Sequence, residues 1–230
     1  MKKIIYACIF NILALLVVPL SVHAQENQKK DVKVEPKIIF PLYNGTFVGL
    51  DMYGLGNQIF GNKFETAEIS ADVNLKNKYF PVLELGYGKT DTEQDGISYK
   101  SSAPYFRIGV NYNMMFKKKS PNYLYLGARY GFSAFSYDVV KSSGVTDDIY
   151  SGTVPFSYTG EKSNAHWMEL LVGIRAQIYK DFFLGWSLRY KAKISAKDNL
   201  NTSPWYIPGY GQNKSTGFGV TYSLIYKLPF

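Results

Sequence analysis

His166 is the one histidine beyond residue 24, and Cys8 is the only cysteine of the chain. One imidazole and no companion thiol leave a multi-histidine metal site, thiol catalysis, cysteine-ligated zinc and a disulfide framework without candidates. Asp147 and Asp148 are adjacent acids without the spaced oxygen ligands of a calcium loop. No metal and no cofactor is therefore expected. As a general base His166 would need a nucleophile within reach, and the position two residues on is Met168. His166 stays the sole catalytic candidate, in an otherwise non-enzymatic reading. The remaining chemistry is ionic. Asp51, Glu68, Asp72 and Glu84 come early, while Arg107, Arg129, Arg175, Arg189 and Lys191 follow, with Glu169 among them. Brought together in one interior, these acids and bases would form a salt-bridge network joining the two halves of the fold.

The elements that would position them are strands. From Ala103 to Phe135, Phe106, Ile108, Val110, Tyr112, Met114 and Phe116 alternate with Tyr105, Arg107, Gly109, Asn111 and Asn113. A period of two is the side-chain repeat of a strand. After Lys117 to Pro121 the alternation resumes with Leu124, Leu126, Ala128, Tyr130 and Phe132 opposite Tyr123, Tyr125, Gly127 and Arg129, which predicts an antiparallel hairpin. Eight such strands are expected, at about 44–56, 64–76, 79–90, 103–116, 122–135, 165–179, 182–195 and 215–229. The intervening segments alternate between short turns and longer stretches at 57–63, 91–102, 136–164 and 196–214.

The apolar faces are bulky and continuous, and the opposite faces mix Arg with Gly. This parity predicts apolar residues outside and polar or charged residues inside, the arrangement of an all-β, eight-stranded antiparallel transmembrane up-and-down β-barrel. Reversal would set Arg107, Arg129, Arg175 and Arg189 against hydrocarbon, at a cost on the order of 8–16 kcal/mol. A soluble barrel of lipocalin type would hide the apolar face, and the inward arginines argue against it. Eight strands enclose a lumen that side chains fill, so free diffusion of solutes through it is not expected.

Residues 1–24 combine Lys2 and Lys3, an apolar run from Ile4 to Leu20 and Val22-His23-Ala24, a pattern expected of a cleaved signal peptide. No other apolar run reaches the length of a membrane helix. Residues 25–42 form a polar leader, and 43–230 the barrel. Without Lys2 and Lys3 the remainder has 24 basic and 18 acidic residues, a charge of +6. The lysines lie largely in the leader and the expected turns, not in a groove interleaved with stacking aromatics, so no nucleic acid is implied.

The segments YNGTFVGLDMYG, VNLKNKYFPVLELGYGKTD and GISYKSSAPYFRIGVNYN resemble a family of uncharacterised outer-membrane β-barrels of Gram-negative bacteria. The architecture also resembles the small eight-stranded barrels of that membrane. That resemblance implies an outer-membrane location, contact with outer-membrane lipid and lipopolysaccharide, and a monomer. The final strand, ending Tyr222-x-Leu224-x-Tyr226-x-Leu228-x-Phe230, resembles the signal read by the barrel-assembly machinery. The lipid A deacylases resemble the chain in an outer-wall histidine, but Met168 stands where they carry a serine. The lipid A palmitoyltransferases carry an amphipathic amino-terminal helix that 25–41 does not offer. A lipid A-modifying enzyme or a narrow gated channel is the alternative to a structural protein that interacts through its long loops. In 136–164 and 196–214, Trp205, Tyr206 and Tyr210 are the candidates for an adhesive or glycan-binding surface, since aromatics supply large contact area at low entropic cost.

Overall fold

The computed structural model describes residues 39–52, 54, 64–147 and 152–229. The expected signal peptide, nearly all of the leader, Asp148 and Phe230 lie outside the described residues. Alternating residues build eight long strands, here β1 (Tyr43–Asp51), β2 (Phe64–Leu75), β3 (Tyr79–Gln94), β4 (Ile97–Asn113), β5 (Tyr123–Asp147), β6 (Gly152–Tyr179), β7 (Phe182–Ala196) and β10 (Thr216–Lys227). Two short strands, β8 (Tyr206–Ile207) and β9 (Gly211–Gln212), pair only with each other. The long strands are antiparallel and close on themselves in the order β1-β10-β7-β6-β5-β4-β3-β2. Closure is made by β1 and β10, where Phe47 pairs with Lys227 and Asp51 with Ser223.

One segment expected as a loop is strand, and a second, for which a loop and a hairpin were both open, is largely strand. Residues 91–102 continue the β3–β4 ladder to Gln94 opposite Ile97, around Asp95 and Gly96, both at positive φ. Asp-Gly is the dipeptide that a two-residue hairpin turn of this hand demands. Residues 136–147 and 152–164 likewise extend β5 and β6 as a long antiparallel pair, with register shifts between Tyr137 and Val139 and between Lys141 and Val145.

Inside the ring, side chains lie in three layers. At the end holding the β2–β3, β4–β5 and β6–β7 turns, Phe47, Phe80, Tyr123, Phe183 and Ile225 form one buried cluster. At the opposite end Tyr99, Tyr105, Phe135, Tyr137, Ala165 and Trp167 form another, joined by Ile207 and Tyr210 from the β7–β10 connection. The ionic groups lie between. Outward positions are apolar and exposed, among them Leu85, Ile108, Leu170 and Trp186, with Leu170 64% accessible.

This layering corrects the expectation of a transmembrane barrel with a polar, charged lumen. The interior contains two hydrophobic cores of its own, and its charges are neutralised in place. Among the described residues Trp167, Phe80, Glu169 and Asn113 are wholly buried across the interior, which leaves no porin-like bore there. Once the interior holds apolar clusters and paired charges together, its polarity no longer selects lipid as the surroundings. The transmembrane reading and the outer-membrane location that rested on it are withdrawn. The outward apolar belt stands as a property of the surface, of the kind that meets apolar partners.

Candidate functional site

The middle layer is an ionic cluster of three carboxylates and three guanidinium groups. Arg107 on β4 contacts Glu68 on β2, lies 2.8 Å from Glu84 on β3, and donates to Glu169 on β6 at 3.1 Å. Arg129 on β5 donates to Glu84 at 2.9 Å and to Asn111 at 2.8 Å. Arg189 on β7 bridges Glu84 at 2.9 Å and Glu169 at 3.0 Å, with its Nε donating to the Thr221 hydroxyl. The Tyr105 hydroxyl donates to Glu68 and the Trp167 indole N–H to Glu169. Three negative and three positive charges thus cancel across the ring. Burial alone would raise the Glu169 carboxyl, but the charges of Arg107, Lys191 and Arg189 and the Trp167 hydrogen bond hold it well below the usual carboxylate range. Burial pushes Arg107 down to about 10 against the pull of Glu169.

Arg175 and Asp72 form a second, separate pair beneath Phe47, Phe80 and Tyr123. Asp51 lies higher, with its carboxylate accepting from the Gly54 N–H at 3.3 Å. Lys191 faces up instead of joining a carboxylate: its ammonium donates to the carbonyls of Gly209 at 2.9 Å and Tyr210 at 3.0 Å. The middle layer shows ion pairing and no reactive constellation. Among the described residues no three His, Cys, Asp or Glu side chains stand close enough to hold a metal ion.

His166 lies on the outer wall, half-buried. Its Nδ1 is 2.6 Å from the Tyr130 hydroxyl, and its ring centroid is 4.7 Å from that of Phe132. The neighbouring outward side chains are aromatic, with Met168 following along the strand. Across the β6–β7 ladder His166 pairs in register with Ser195.

Residues 196–214 do not stand out from the barrel as a free loop. They fold back over its mouth, where Ile207 is fully buried and Tyr210 nearly so. Tyr210 packs edge-on against Trp167 at 5.8 Å, and Gly209, at φ +80°, passes so close to the Tyr105 ring that a Cβ would lie 2.4 Å from it. The aromatics expected on an exposed surface therefore divide: Tyr210 is core, while Trp205 and Tyr206 are half-buried. Trp205 stacks on Tyr99 at 5.4 Å and 11°, and Tyr99 stacks in turn on Tyr137 at 5.8 Å and 26°. The Tyr99 hydroxyl donates to the Tyr206 carbonyl at 2.9 Å. Beside this stack is a cleft of about 530 Å³, bounded by Thr92 and Gln94 of β3 and by Trp205, Tyr206, Gln212 and Lys214 of the connection. Tyr99 and Gln94 were not foreseen as part of a site. Their signal was the Asp95-Gly96 turn, which carries β3 and β4 up to the connection.

A family model described as a domain of unknown function (DUF6048) matches residues 3–230. No curated protein matches the chain. The family resemblance read from the sequence is corrected to this domain of unknown function. Contact with outer-membrane lipid or lipopolysaccharide and recognition of the terminal strand by assembly machinery rested on the transmembrane reading corrected above, and Phe230 itself lies outside the described residues.

Proposed function

We propose, for a chain that belongs to the DUF6048 family, a domain of unknown function, that the protein is a binding module whose ligand is a saccharide. The observation that carries this reading is Trp205. It is held flat against Tyr99 and lines a cleft of about 530 Å³ edged by Gln94 and Gln212, a size within the usual range for small-ligand sites. A sugar ring has an apolar C–H face and a rim of hydroxyls, which suit an aromatic platform flanked by amides that both donate and accept. Backing by Tyr99 and Tyr137 holds the Trp205 ring flat in this arrangement, so little of its side-chain freedom is lost when a ligand binds to it.

The test is calorimetric titration of the folded protein with hexasaccharides of glucose, mannose and N-acetylglucosamine, alongside Trp205→Ala and Gln94→Ala. Binding of at least one, weakened tenfold or more in Trp205→Ala and several-fold in Gln94→Ala, is expected. Absence of binding across the panel, or binding indifferent to Trp205, overturns the reading.

A further inference from the structure

The connection that carries Trp205 is attached to the barrel in an unusual way. Its main chain bonds within itself: Tyr206 pairs with Gln212, Ile207 with Gly211, and the Asn213 N–H donates to the Trp205 carbonyl at 2.9 Å. The barrel ladders stop at its two ends, at Ala196 opposite Ala165 and at Thr216 opposite Ala192. Main-chain bonds to the wall occur at those ends, from the Lys197 N–H to Asn164 and from the Lys193 N–H to Ser215. Between them the attachment is by wall side chains, most of which reach strap carbonyls. The Tyr137 hydroxyl donates to the Thr202 carbonyl, the Tyr99 hydroxyl to that of Tyr206, and Lys191 to those of Gly209 and Tyr210. Under the tip is a polar cleft of about 410 Å³, lined by Asp51, Glu68, Arg107, Arg189 and Lys191 among others. The tip therefore roofs this cleft on one side, while Ile207 and Tyr210 pack on the cluster of Tyr99, Tyr105 and Trp167.

We infer that residues 197–215 are a strap that closes over the barrel mouth as a unit, latched by Lys191, and that its closure is what assembles the Trp205 cleft. Two wall cations hold the strap: Lys191 binds two successive carbonyls at its tip, and Lys193 donates to the Asn213 side-chain oxygen at 2.5 Å. Charged donors make the stronger hydrogen bonds. Removal of Lys191 frees the tip while leaving every barrel ladder intact. Open and closed straps are then two states of one protein, and a ligand that needs Trp205 on Tyr99 binds the closed state alone. That last step rests on the saccharide reading; the strap itself does not.

The test is amide hydrogen exchange on the full chain without ligand, comparing wild type, Lys191→Met and Lys191→Arg. Lys191→Met is expected to speed exchange at the strap amides of Tyr210 and Asn213 tenfold or more while β4 to β6 keep wild-type rates. Lys191→Arg, which keeps charge and donors, should stay within about threefold of wild type. Tyr99→Phe removes one anchor and keeps the ring, so a smaller rise confined to the strap provides a second reading should Lys191→Met fail to fold. Unchanged strap exchange in both Lys191→Met and Tyr99→Phe overturns the latch, as does an equal acceleration of strap and strands. A strap that responds as expected in a protein that binds no saccharide would uphold the latch and refute the ligand assignment.

Discussion

Arg175 on β6 and Asp72 on β2 meet across the full width of the barrel in a two-pronged ion pair, Nη1 to Oδ1 at 3.1 Å and Nη2 to Oδ2 at 2.5 Å. Both are buried, and the guanidinium lies 4.9 Å from the centre of the Phe47 ring. This is the junction between the aromatic layer and the ionic one. It is also charge-balanced without help from the larger cluster above.

Asp72→Asn leaves that guanidinium buried without its counter-ion. A loss of about 3–5 kcal/mol is expected in equilibrium unfolding, as for other broken buried pairs. The double replacement Asp72→Leu with Arg175→Met removes both charges and should cost clearly less than the single one. A cycle of these variants measures the coupling directly.

Gly109 on β4 is required by packing. A Cβ there would lie 1.9 Å from the Ala128 carbonyl oxygen and 2.8 Å from Arg129 Cδ. The first is backbone and cannot swing away, so Gly109→Ala is expected to destabilise by about 1–3 kcal/mol, the usual range for overpacking. Gly217 has an open position for a Cβ, and Gly217→Ala should stay within about 0.5 kcal/mol of wild type. Thermal or denaturant midpoints of the two variants make the comparison.

Burial pushes Lys191 down from 10.5 to about 8, against the attraction of Glu169 and with the repulsion of Arg107 and Arg189. Between those values the unfolded chain holds the proton and the folded one releases it. Stability attributable to Lys191 therefore rises with pH through this window, is complete above 10.5, and is lost as pH falls through about 8. The slope is at most about 1.4 kcal/mol per pH step of one. Subtracting the unfolding profile of Lys191→Met from that of wild type over pH 7.5 to 9.5 isolates it from the lysines and tyrosines that titrate elsewhere. A flat difference would show that the ammonium is not desolvated in the folded state.

The strand pattern was legible because a two-residue repeat is written locally, residue by residue, as in Phe106 to Phe116. The acids and arginines of the middle layer share the inward parity for the same reason. Two things escaped that reading. Asp95-Gly96 was passed over within a stretch taken for a loop, although it is a local turn signal. The Trp, Tyr, Pro and Gly content of 196–214 fits both a display surface and aromatics packed on one another, and nothing in that content distinguishes an aromatic that faces outward from one that packs on Trp167.

From the sequence by itself come the alternating strands and the inward set from Asp51 to Lys191, with His166 as the one histidine beyond residue 24. Those follow from side-chain type and a period of two. The tertiary structure alone decided which partner each charge takes, that aromatic layers cap the ionic one, and that Lys191 reaches the carbonyls of Gly209 and Tyr210. Such facts depend on which strands end up opposite one another when the ring closes. Arg175 and Asp72 are 103 residues apart in the chain, and only closure brings them together.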